Sequence, residues 1–119
     1  MNVELYFDGN KCNTGVSCSY KLTYNKLVKE ETKMLSETTV PEAEYNGLLS
    51  GLSVLKSEYF NRINLIAYGD SKLIINQMNK CWECKAPNLR ILRSKCFNIS
   101  NNLKSAKFIW IPRDKNKAG

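Results

Sequence analysis

The stretch "INLIAYGD", residues 63–70, constrains the fold more than any other part of the chain. It is nearly continuous in apolar residues, the pattern of a strand covered on both faces, and such strands belong to sheets with helices packed against them. It also ends in a carboxylate, Asp70. Central strands of α/β sheets place ligands at their carboxyl ends, so the run that fixes the architecture also marks a candidate site.

The surrounding sequence supplies the rest of such a sheet. Val3, Leu5 and Phe7 alternate with Glu4, Tyr6 and Asp8, which predicts a first strand with Asp8 at its far end. Turn chemistry in residues 10–15 and two further stretches, residues 16–24 and 29–39, predict a meander of hairpins. From Pro41 the period changes. Proline suits a first helical position, Glu42 and Glu44 favour the positive end of a helix dipole, and Leu48, Leu52 and Leu55 form an apolar stripe. One turn back along that stripe lies Glu44, and a carboxylate on an inner face is costly unless its charge is compensated.

After Asp70, "SKLIINQMN" reads as a short helix capped by Ser71. A longer amphipathic helix starts at Pro87, with Leu89, Leu92, Cys96, Ile99 and Leu103 at steps of three and four, and "KFIWIP" reads as a last strand. The expected fold is α/β, in the order βββ-α-β-α-α-β. Its mixed five-stranded sheet has three antiparallel strands and then two parallel ones, flanked by helices. We expect one domain over residues 1–119, a length sufficient for a core without disulfides.

Composition narrows the partners. Residues 1–60 carry six Lys/Arg against eight Asp/Glu, whereas residues 61–119 carry twelve against three, so the net charge of +7 sits in a second half of net +9. Such a half suits a polyanion, nucleic acid before membrane surface. Five cysteines cannot all pair, and the start has no basic leader before an apolar run, so reduced thiols in a cytoplasmic monomer are expected. No stretch is long and apolar enough to span a membrane as a helix. With no histidine in the chain, imidazole acid/base catalysis is excluded. Asp8, Glu44 and Asp70 would instead repel one another on convergence, and hard divalent cations such as Mg²⁺ or Mn²⁺ relieve that repulsion.

At this point the residues resemble a known family. "LYFDGNKCNTG", "EAEYNGLLSGL", "YGDSKLIINQMN" and "WIPRDKN" fall in the order and at the spacings of type I ribonuclease H, in particular its compact bacterial and archaeal members without an added basic protrusion. The resemblance covers essentially the whole chain. It implies an endonuclease that cuts the RNA strand of an RNA/DNA hybrid with two Mg²⁺ ions, Mn²⁺ serving as a substitute. Asp8, Glu44 and Asp70 match the first three acids of the family's set of four. It further implies substrate contacts at Gly9 and Asn13, at Thr39 on a DNA-strand phosphate, at Trp82 on the DNA backbone, and at Ser71 and Asn116. Asn116, Lys117, Ala118 and Gly119 fill the family's places before its fourth acid, which would be residue 120, and the family's C-terminal helix is not expected within residues 1–119. Asp114 stands six residues early and is not assigned that role. Val40 and Pro41 replace a usual asparagine pair, Lys72 a common glutamine and Cys12 a usual glycine; these departures bear on substrate grip rather than reaction type.

Two other readings accompany this one. A module that binds hybrid or double-stranded RNA without cutting would share the basic half, and a related nuclease of the same superfold would share the carboxylates but not the 2′-hydroxyl readers. "CWEC", Cys81 to Cys84, has the spacing of a redox or zinc motif but lacks the βαβ context of the one and the full ligand count of the other.

Overall fold

Three strands run back and forth before the first helix, in a computed structural model that describes residues 1–119. They are β1 (Asn2–Cys12), β2 (Gly15–Tyr24) and β3 (Leu27–Leu35), followed by α1 (Val40–Leu52), β4 (Asn64–Gly69), α2 (Lys72–Met78), α3 (Pro87–Ser100) and β5 (Ser105–Trp110). The five strands form one sheet in the order β3-β2-β1-β4-β5. The pairs β1–β2 and β2–β3 are antiparallel, while β1–β4 and β4–β5 are parallel. This is the α/β topology the sequence predicts.

The helices lie over one face. Val3, Leu5 and Phe7 on β1, with Leu65 and Ala67 on β4, are buried beneath Tyr45, Leu48 and Leu52 of α1 and Ile74 and Met78 of α2. The alternate residues Tyr6, Ile66 and Tyr68 are only half-buried, and Glu4 is exposed. The expectation that residues 63–70 are covered on both faces is therefore corrected. No helix is available to the second face, and the stacking of Tyr6 on Tyr68, ring centroids 4.8 Å apart, shields part of it instead.

Element ends also differ from expectation for local reasons. β1 continues past Asp8 to Cys12, because pairing with β2 runs to Gly15 while pairing with β4 stops at Tyr6 opposite Tyr68. The third strand spans Leu27–Leu35 rather than residues 29–39, since Thr39 is already the N-cap of α1. Leu55 and Leu103 fall just outside their helices but still join the core.

One contact decides how α1 meets the sheet. A Cβ on Gly47 would lie 2.7 Å from the Asp8 carbonyl oxygen and 2.9 Å from that of Ser19, so only glycine lets the helix rest on the β1–β2 backbone. A Cβ on Gly9 would likewise collide with the Ala43–Glu44 backbone. The Gly47→Ala variant should lose about 2–3 kcal/mol, the upper part of the range of about 1–3 kcal/mol for overpacked cores, and its Tm should fall by about 8 °C or more. Thermal unfolding within a degree of the parent would show that α1 does not depend on this approach.

Candidate active site

The close approach at Gly47 sets Glu44, one turn earlier on α1, above Asp8. Asp8 lies where β1 has parted from β4, and Asp70 follows the last residue of β4. Open α/β sheets hold their ligands in the crevice outside the carboxyl ends of their strands, the end at which these three acids stand. Asp8 is 4% exposed and Glu44 8%, while Asp70 is half-buried. None of the three makes an ion pair; the chain's one salt bridge, Lys85 Nζ to Glu83 Oε2 at 3.4 Å, joins two exposed side chains elsewhere.

Burial and mutual repulsion raise these carboxyls. Burial pushes Asp8 up and the nearby Asp70 charge adds to it, against the Arg113 guanidinium and the Gly9 N–H. Glu44 is raised from 4.5 to about 7, with burial the largest cause. The Ser71 hydroxyl draws it back, Asp70 and Asp8 raise it again, and Arg113 lowers it. Two buried carboxyls and a third beside them therefore share one strand-end crevice without a cation paired to them. An all-oxygen set of this charge fits a hard divalent ion. It is not a finished cage, because no three carboxylate or thiol side chains are gathered closely enough to ligate one ion as they stand.

Supports hold each acid from a different element. Asn116 Nδ2 donates to Asp70 Oδ2 at 3.1 Å and to the Phe7 carbonyl at 2.9 Å, so this buried side chain spans from the acid to β1. The Trp110 indole N–H donates to the Asp70 carbonyl at 3.0 Å. Ser71 caps α2 by accepting from the Ile74 N–H at 3.3 Å. The Ser19 hydroxyl donates to the Ala118 carbonyl at 2.6 Å, and a side chain built on Gly119 would meet Asp8 Oδ2 at 3.4 Å. Ser19 carries no motif of its own, whereas Trp110 and Arg113 lie within "WIPRDKN", a motif that marks the end of the last strand without giving either side chain a role.

The other sequence-predicted residues lie around this crevice or apart from it. Gly9 sits under the Glu44 backbone, and Asn13 is exposed in the β1–β2 turn. The Thr39 hydroxyl is already engaged: it accepts from the Glu42 N–H at 3.3 Å, capping α1, and donates to Glu42 Oε1 at 3.1 Å, at the Thr-x-x-Glu spacing of a capping box. Thr38 and Asn88 donate to the same carboxylate at 2.7 Å each and hold its pKa down. Trp82, 49% exposed, lines a separate cleft of about 500 Å³ with Lys80, Lys85, Arg90 and Arg93. Cys81 is exposed at that cleft whereas Cys84 and Cys96 are buried, and burial pushes the Cys96 thiol up to about 12. These cysteines form no three-ligand group. No helix is long and apolar enough to cross a membrane.

Comparison with known proteins places this geometry among relatives. Residues 15–119 match the reverse transcriptase-like family. The bifunctional protein of Mycobacterium tuberculosis is 26% identical over 93 residues, which are 78% of this chain and 25% of that one. Its N-terminal ribonuclease H domain, solved as a fusion with maltose-binding protein, superposes with a TM-score of 0.88 at 23% identity, covering 100% of this chain and 93% of the solved one. Ribonuclease HI of Halobacterium salinarum is 27% identical over 119 residues, 97% of this chain and 59% of the relative. LC11 ribonuclease H1, crystallised with an RNA/DNA hybrid, has a TM-score of 0.83 at 26% identity, covering 97% of this chain and 88% of that structure. The chain thus spans about a quarter of the length of its mycobacterial relatives.

The raised Glu44 makes stability depend on pH. A carboxyl titrating at about 7 when folded and 4.5 when unfolded contributes stability that is complete below pH 4.5 and lost as pH rises through 7. Without divalent ions, Glu44→Gln should therefore raise Tm at pH 8 by several degrees, each kcal/mol being worth about 4 °C or more, and change it little at pH 5. A Tm at pH 8 below that of the parent would refute the uncompensated charge.

Proposed function

The chain belongs to the reverse transcriptase-like family, whose members share the ribonuclease H fold, and on that premise we propose that it is an endoribonuclease hydrolysing the RNA strand of RNA/DNA hybrids. The observation that carries the proposal is the set of buried, unpaired carboxyls Asp8 and Glu44 beside Asp70 at the strand-end crevice. The hybrid-bound LC11 ribonuclease H1, on the same fold, supports the substrate class.

In this reading Asp8, Glu44 and Asp70 hold two Mg²⁺ ions, with Mn²⁺ as a substitute. Bound there, such ions supply activated water and stabilise the leaving oxygen in phosphodiester hydrolysis. The chain's own residues prepare the site. Asn116 fixes the direction of the Asp70 carboxylate through Oδ2, and Trp110 holds the backbone behind it. Ser71 favours the ionised form of Glu44, and Arg113 offsets part of the charge on Asp8 and Glu44. Gly9, against the Glu44 backbone, and Asn13, farther out in the β1–β2 turn, would read ribose 2′-hydroxyls. Thr39 reaches a phosphate only by releasing Glu42. Trp82 and its four flanking cations receive the DNA backbone, positioning the duplex without reading its sequence. Five unpaired cysteines favour action in a reducing, cytoplasmic compartment.

The unclosed ligand set favours one other reading, a module that binds the hybrid without cutting it. Cleavage of a defined hybrid with Mg²⁺ or Mn²⁺, beside a binding assay at several salt concentrations, separates the two. Asp8→Asn and Asp70→Asn should each lower cleavage by roughly a thousandfold or more, since the ions stabilise several kcal/mol of transition-state charge at about 1.4 kcal/mol per tenfold. Retained cleavage in either variant would end the two-ion proposal. RNA left intact by the parent even in Mn²⁺, with salt-sensitive binding kept, would establish the binding module.

A further inference from the structure

Gln77 lies on α2 with 3% of its surface exposed, a buried amide that takes no part in the carboxylate crevice. Both ends of its side chain are used. Tyr45, fully buried on α1 and next to Glu44, donates its hydroxyl to Gln77 Oε1 at 2.7 Å. Gln77 Nε2 donates to the Glu83 carbonyl at 3.1 Å, immediately after Trp82. The carbonyl of Glu83 can only accept, so the amide cannot turn over without leaving it unsatisfied. The Gln77 backbone carbonyl in turn accepts from Lys80 N at 3.1 Å and from Arg93 Nε on α3 at 3.1 Å.

The segment that Gln77 holds is under local strain. Lys80 has φ of 62°, a left-handed conformation that a side chain disfavours. It stands where α2 ends in a Schellman turn, with the Cys81 N–H donating to the Asn76 carbonyl at 2.9 Å and the Trp82 N–H to the same oxygen at 3.2 Å. The turn throws Lys80, Trp82 and Lys85 into the cleft that Arg90 and Arg93 complete. Beyond those two amides, Asn79 Nδ2 anchors the start of the loop on the Phe108 carbonyl at 2.9 Å, and Gln77 Nε2 on the Glu83 carbonyl ties the part after Trp82 to α2.

We propose that Gln77 is a positioning residue that ties the Trp82 cleft to the helix carrying Glu44, so that the cleft is held in the form that grips the nucleic-acid backbone. The inference rests on the reading of that cleft as a nucleic-acid surface. It predicts a communication outside the carboxylate site itself: a change at Tyr45 is felt at Trp82 through one amide.

Amide hydrogen exchange of the substrate-free chain tests the link, and hybrid affinity tests its use. Tyr45→Phe and Gln77→Met should each speed exchange in residues 80–86 roughly tenfold, the scale of one buried hydrogen bond lost. Each should also raise the Kd for a fluorescent hybrid in EDTA roughly tenfold, with kcat within about twofold of the parent. In a Trp82→Ala background the further loss of affinity should vanish, since both substitutions act through that side chain. Should Gln77→Met fail to fold by circular dichroism, Tyr45→Phe, which removes a single hydroxyl, carries the same criteria. Unchanged exchange at residues 80–86, or a fall in kcat at constant Kd, overturns the coupling. Faster exchange with unchanged Kd overturns the binding role of the cleft while leaving the crevice reading to be judged by cleavage.

Discussion

The site depends first on a helix lying directly on strand backbone. Gly47 and Gly9 remove the side chains that would hold α1 away from β1, and the result is a distance at which Glu44 and Asp8 feel each other's charge. Packing and electrostatics are thus one constraint. Hydrophobic burial of Tyr45, Leu48 and Leu52 draws the helix down, and the same descent carries a carboxylate into low dielectric where its ionised form is disfavoured. A looser contact would relieve the charge and dissolve the site.

What makes the arrangement tolerable is that its charge is divided. The acids come from β1, α1 and the end of β4, and each has its own support: the Gly9 N–H, the Ser71 hydroxyl and the Asn116 amide. Arg113 is the one cation that acts on both Asp8 and Glu44, yet it forms no ion pair with either. A further group of positive charges, Lys80, Lys85, Arg90 and Arg93, gathers at the Trp82 cleft. Separation of an acidic crevice from a basic cleft suits a polyanion that must be attracted by one surface and presented to the other.

Much of this was legible in the sequence because it follows from period and from punctuation. Alternation at Val3, Leu5 and Phe7, the change of period at Pro41 and the capping serine after Asp70 fixed element type and order, and with them the sheet topology. The placement of Glu44 on an inner face came from extending a leucine stripe by one turn, and Glu44 is buried. The misreadings have a common cause. An apolar run such as residues 63–70 reports hydrophobicity on both faces but not whether a helix exists to cover the second, and Tyr6 with Tyr68 answers that by stacking. The engagement of the Thr39 hydroxyl by Glu42 follows from the local spacing Thr39-Val40-Pro41-Glu42, whereas the arrival of Asn88 from α3 on the same carboxylate is set by the tertiary fold. Long-range partners such as Ser19 with Ala118 or Gln77 with Tyr45 are set by the tertiary fold alone.

The segment after β5 shows why such partners matter. It leaves the sheet edge beside β4 and crosses the strand ends: Asn116 bonds to Phe7 on β1 and to Asp70 after β4, Lys117 lies over the Tyr6 ring at 5.4 Å, and Ala118 is held by Ser19 on β2. A short polar stretch thereby links four of the five strands at the end where the acids stand. Parallel strands are joined to each other only along their lengths, so their ends are free to splay unless something bridges them. Here the bridge is made by side chains that also orient Asp70 and approach Asp8, which binds the rigidity of the sheet edge to the direction of the carboxylates. The buried Asn116 is therefore better understood as a strut than as a substrate contact: its amide is consumed by Phe7 and Asp70, its carbonyl by the Ala118 N–H at 3.1 Å, and little of it is left facing solvent.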